Sequence, residues 1–206
     1  MKNIFILIVL STFVFGQSFD YVGTDACKMC HKSAKKGAQY TIWADSPHAN
    51  AFETLKSEAS AKIAAEKGLK VPAYQAAECL ICHTTGYDNS GYEVRDAKFW
   101  DEVTEKGKPT KAVKRMTGLQ AVGCEACHGP GKNYKSSKVM KAIFVGTQDA
   151  KAVGFLEVNE ATCVTCHNEK SPTFKDFKFA DQVKLIAHPY PADVKAELME
   201  KLKAKK

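Results

Sequence analysis

The sequence predicts a mainly α fold, with short helices, little β structure and too little chain to fill its own interior. Three observations predict it. Helix caps and stops recur along the chain, strand alternation is weak throughout, and all eight cysteines fall in one repeated five-residue pattern. The composition is that of a globular protein: 206 residues, 45% hydrophobic and 26% charged. Collagen-like, mucin-like and wholly disordered classes are thereby excluded. Eight cysteines are too many for a typical cytosolic protein of this length and point to export.

The N-terminus agrees with export. Lys2 gives a positive start, Ile4 to Phe15 is almost wholly apolar, and Val14-Phe15-Gly16 ends on a small residue. This pattern predicts a signal peptide over 1–16, cleaved after Gly16, and one domain over 17–206. An uncleaved anchor is the alternative. No cysteine precedes Cys27, which argues against a lipid anchor. No other segment approaches ~18 consecutive apolar residues, so no integral membrane segment is expected in the mature chain.

The elements follow in order. Ser46-Pro47 is an N-cap and first-turn pair that opens a helix from about Pro47 to Lys56. Ala59 to Lys67 continues or restarts it, and Gly68 ends it. Gly86 to Thr110 reads as loop or a short hairpin, with a helical turn near Phe99 to Glu105. Phe179 to Ala187 and Ala192 to Lys203 read as helices parted by Pro189 and Pro191. The lysine-rich end, Lys201 to Lys206, reads as a solvated tail.

The cysteines form four pairs, each with two residues between and a histidine directly after. They are Cys27-Lys-Met-Cys30-His31, Cys79-Leu-Ile-Cys82-His83, Cys124-Glu-Ala-Cys127-His128 and Cys163-Val-Thr-Cys166-His167. This is C-x-x-C-H, the c-type haem attachment sequence. Two thiols add across the two vinyl groups of one porphyrin edge. Two intervening residues in a helical turn give the sulfurs the required separation. The next residue then lies under the ring, where its imidazole ligates iron. A Cys₄ zinc site or a disulfide framework would explain the pairs but not the histidine after each. Four covalent haem c groups are therefore predicted, with short helices packed around them. The motif spacings of 52, 45 and 39 residues are unequal, so identical stacked repeats are excluded.

The haems change the charge. The formal net charge is +7, or +6 once Lys2 has left with the signal. Each haem adds about −1 oxidised and about −2 reduced, through its propionates and iron. The loaded protein is near neutral, and its lysines do not imply nucleic-acid binding.

Six histidines limit the sixth ligands. Four follow the cysteine pairs, and only His48 and His188 remain. Both are expected to ligate iron, so at most two haems are bis-histidine within one chain. Met29 lies inside the first attachment loop. Met116, Met140 and Met199 read as core fillers rather than ligands, and Tyr134 and Lys138 as exposed.

The stretch Gly118 to Tyr134, with Val122-Gly123-Cys124-Glu125-Ala126-Cys127-His128-Gly129-Pro130-Gly131, resembles the third haem site of the cytochrome c-554 family, tetrahaem electron carriers. Ser46-Pro47-His48-Ala49, the segment Phe177 to His188 and the order of the four motifs are similar as well. The resemblance implies a helical fold around closely packed haem pairs. It also implies three bis-histidine haems and an open one at His83, with His48 and His188 as two of the sixth ligands. The third would fall at position 138, where this chain has Lys138. Lys138, Met140, water or an open position, or a neighbouring chain is then left for that iron.

The function expected is electron transfer between periplasmic or membrane-bound redox proteins, by a monomer or weak dimer without catalytic residues. A reductase or oxidase of small nitrogen oxides at an open haem is the alternative. Such an enzyme needs distal acid–base groups, and no histidine is left for that task. A haem-linked filament is disfavoured, because a chain that donates a histidine empties its own site.

Overall fold

The computed structural model describes residues 19–204. The predicted signal peptide and its expected cleavage after Gly16 lie outside them. Twelve α-helices follow in order: α1 (Asp25–His31), α2 (Gln39–Ala44), α3 (Ala51–Thr54), α4 (Glu58–Glu66), α5 (Ala77–His83), α6 (Ala97–Trp100), α7 (Lys111–Thr117), α8 (Cys124–His128), α9 (Ser137–Phe144), α10 (Glu160–Val164), α11 (Phe179–Gln182) and α12 (Ala192–Lys203). Five 3-10 turns lie between them. Among the described residues the only β pairing is an isolated antiparallel bridge, Val103 with Pro109, inside the segment read as loop or hairpin. No described helix is long and apolar enough to cross a membrane.

Local chemistry explains most boundaries. Ser57, Asp96, Thr110 and Ser136 accept a hydrogen bond from the backbone N–H three residues on, and so start α4, α6, α7 and α9. Asn159 and Thr162 form a reciprocal capping box at α10. Gly68 follows α4 at φ +68, as the stop signal predicts. Three expectations need correction. Ser46 does not cap: its hydroxyl donates to the Trp43 carbonyl at 2.7 Å. The predicted helix from Pro47 is split into a 3-10 turn (Pro47–Asn50) and α3. Phe179 to Ala187 is likewise one α turn and one 3-10 turn.

The polypeptide core lies to one side. Phe52, Leu55, Ala64, Ala73, Leu80, Tyr92, Met116 and Leu119 cluster where α3, α4, α5 and α7 meet. From Phe155 to the end of the described chain, no described side chain is buried. Helices this short have little stability alone, so most of the helical stability must come from tertiary packing. The C-terminal third has no polypeptide core to supply it.

Candidate haem sites

Each cysteine pair begins on a short helix. Three of the motifs, at Cys27–His31, Cys79–His83 and Cys124–His128, lie wholly within α1, α5 and α8. The fourth starts in α10 and leaves it before Cys166. All eight cysteines are unpaired by disulfides.

The third motif is fastened most heavily. Glu125 is 2% exposed. Its carboxylate accepts hydrogen bonds from Val22 N at 2.9 Å, Gly23 N at 2.7 Å and Gly131 N at 2.6 Å. Burial raises its pKa above the ordinary carboxylate range, while the three N–H donors and Arg115 pull it down. Gly129 has φ +78, and a Cβ there would meet the Gly154 carbonyl oxygen at 2.2 Å. A Cβ on Gly131 would meet Glu125 Oε1 at 2.9 Å. The glycines of this stretch are therefore steric requirements of the site. Tyr134, expected to be exposed, is buried, and its hydroxyl donates to the Gly129 carbonyl at 2.6 Å.

The two free histidines reach different motifs. His48 lies 6.0 Å from His167, ring centroid to centroid, with planes at 67°. His188 lies 6.0 Å from His128, also at 67°. An imidazole nitrogen sits about 2.0 Å from a metal it ligates, and the ring centre about 1.1 Å beyond. Two imidazoles on opposite faces of one iron thus have centroids about 6.2 Å apart. Both pairs fit an iron between them.

Backbone and aromatic contacts hold these rings. Val122 N donates to the His48 carbonyl at 3.1 Å, and Trp43 Nε1 donates to the Val122 carbonyl at 2.8 Å. His188 Nδ1 bonds the Ile186 carbonyl at 2.7 Å, and His83 Nδ1 the Ala51 carbonyl at 2.6 Å. In each case Nε2 is left for a metal. His128 stacks on Phe155, centroids 5.6 Å apart, and His167 on Phe177 at 4.6 Å. Gln39 lies beside His31, and its amide nitrogen donates to the Lys36 carbonyl. Burial lowers the pKa of His31, His48 and His128, which favours the neutral form a metal requires. Sequence reasoning missed Trp43, Phe155, Phe177 and Glu125. Only Glu125, within the motif, left a signal, as a carboxylate where the other motifs have neutral or basic residues.

The motifs are also brought together. The thiols of Cys27 and Cys124 are close enough that each is the strongest influence on the other's ionisation. Cys82 and Cys166 are paired in the same way. Cys127 feels both Cys163 and Cys166. A thioether sulfur does not titrate, so only the proximity carries over to the loaded protein. It gives the order second motif, fourth, third, first.

Residues 26–104 match the family described as cytochrome c554 and c-prime. A curated relative, cytochrome c-554 of Nitrosomonas europaea, is 34% identical over 133 residues, which is 61% of this chain and 47% of that protein. Over these stretches the chain is similar to the cytochrome c-554 family. Its matched stretch spans about half the length of that curated relative, 47%. The solved structure of reduced cytochrome c554 from Nitrosomonas europaea aligns over 92% of this chain and 98% of that one. Its TM-score is 0.54 at 23% identity, which supports the shared fold. The chain's four C-x-x-C-H motifs, with every cysteine free of disulfides, provide attachment points for four haem c groups.

Proposed function

We propose that the mature chain, 17–206, is one tetrahaem domain that carries electrons between redox proteins in the periplasm. Cys27 and Cys30, Cys79 and Cys82, Cys124 and Cys127, and Cys163 and Cys166 bind the four haems through thioethers. His31, His83, His128 and His167 are the first axial ligands, His188 is the second on the iron of His128, and His48 the second on the iron of His167. The observation that carries this reading is the pair of facing imidazoles, each 6.0 Å apart, on two adjacent motifs. An iron between two fixed imidazoles changes oxidation state with little rearrangement. The two interior haems of the order second, fourth, third, first are thus suited to pass electrons. Neither carries an open coordination position for chemistry.

The test is a redox titration joined to stopped-flow spectroscopy on the holoprotein. Four one-electron steps are expected, and every haem should be reduced and reoxidised by small redox proteins within milliseconds. Fast turnover of nitrite or hydroxylamine, with slow exchange to every protein partner tried, would overturn the carrier reading. N-terminal sequencing of the exported protein checks the start at Gln17.

A further inference from the structure

Two irons remain without a facing imidazole. His48 faces His167 and His188 faces His128, so neither serves the haems of His31 or His83. The charges that act on His31 belong to Lys36 and His188, and the polar side chain beside it is Gln39. His188 is committed to His128. Lys138 is exposed, and on α9 it lies on the opposite side from Met140 and Phe144.

Met116 and Met29 are placed elsewhere. Met116 is 2% exposed within the core cluster, and its sulfur accepts from Glu93 N at 3.3 Å. Met140 shares a helix face with Phe144, whose ring lies 5.8 Å from Tyr190 and 6.0 Å from the Lys195 ammonium. Met29 is in the first attachment loop itself.

We infer that the haem of His31 is a second ligand-binding site, which takes a small neutral ligand of ferrous iron such as carbon monoxide or nitric oxide. This rests on the haem and ligand assignments of the proposed function. The two open irons then stand at the two ends of the relay, with the closed pair between them. Ligand addition is a simple coordination step, with no electron transferred and no bond broken in the ligand. It stabilises the ferrous state of one end and withdraws that end from exchange.

The test is a titration of the dithionite-reduced holoprotein with carbon monoxide, beside a pyridine haemochromogen count. The haem count checks the underlying reading separately, and four haems are expected. Two equivalents of carbon monoxide per chain are expected, with two high-spin signals among the four ferric haems by EPR. One equivalent or none overturns the inference. H48A and H188A should each raise the count to three. A variant that stays at two shows that its histidine was no ligand, and moves the second site away from His31. K138A and M140L should leave the count at two. If the wild-type count is one and either variant raises it to two, that side chain is the sixth ligand.

Discussion

Glu125 joins three parts of the molecule at one carboxylate. Val22 and Gly23 come from the N-terminal segment, and Gly131 from the loop after the third motif. Removing the acceptor leaves three N–H groups, each worth about 1–3 kcal/mol if it stays unsatisfied. E125A should therefore lower the unfolding free energy by about 3 kcal/mol or more, measured by guanidinium titration of the holoprotein. A loss under about 1 kcal/mol would mean that water or another acceptor takes the carboxylate's place. The pH dependence has a definite sign. The folded pKa lies above the value of 4.5 for a free glutamate. Stability from this group is thus complete below pH 4.5 and is lost as pH rises through the shifted value. E125Q should flatten that part of the stability curve, and an unchanged slope would assign it to another group.

At the scale of elements, His48 is positioned by a clamp rather than by a helix. The turn Pro47–Asn50 is held between the Trp43 indole, the Val122 peptide and its own carbonyl. Trp43→Phe keeps an aromatic ring at the position and deletes one part-buried hydrogen bond, worth about 1 kcal/mol. The variant should lose about that much stability, and a fraction of one haem should turn from low-spin to high-spin on warming. A spectrum identical to wild type across the temperature range would show that His48 is placed without the indole. Much of the element order was legible in the sequence. The residues of α12 agree with the segment read between Pro191 and the lysine tail, and Gly68 stops α4. Those signals are local. The turn at Pro47 was not legible, because the Ser46 hydroxyl has a choice of partners and takes the Trp43 carbonyl. The helix α9 was overlooked, although Ser136 caps it and Val139, Met140, Ile143 and Phe144 mark one face. Which free histidine faces which motif depends on contacts across more than fifty residues, such as Trp43 to Val122. No local pattern carries that information.

At the scale of the whole molecule, charge divides along the order of the motifs. Residues 25–45 around the first motif hold Lys28, Lys32, Lys35 and Lys36 against Asp25 and Asp45. Residues 70–95 around the second hold Glu78, Asp88 and Glu93 against Lys70 and Arg95, and Arg95 is paired with Glu93. These are the two ends of the order second, fourth, third, first. Of the described ion pairs, none includes the four lysines near the first motif. Propionates add negative charge at all four haems, so the difference between the ends survives haem attachment. An acidic partner should then be steered to the first motif rather than the second, and steering of this kind changes association rates by about 10–10³. The triple variant K32E/K35E/K36E should accept electrons from reduced flavodoxin, an acidic donor, at least about tenfold more slowly at low ionic strength. Added salt should slow the wild type and quicken the variant, because screening acts on both attraction and repulsion. Reduction by a small neutral mediator should be equal in the two proteins. If the variant and the wild type take electrons from flavodoxin at the same rate and with the same salt dependence, the first motif is not where an acidic donor docks.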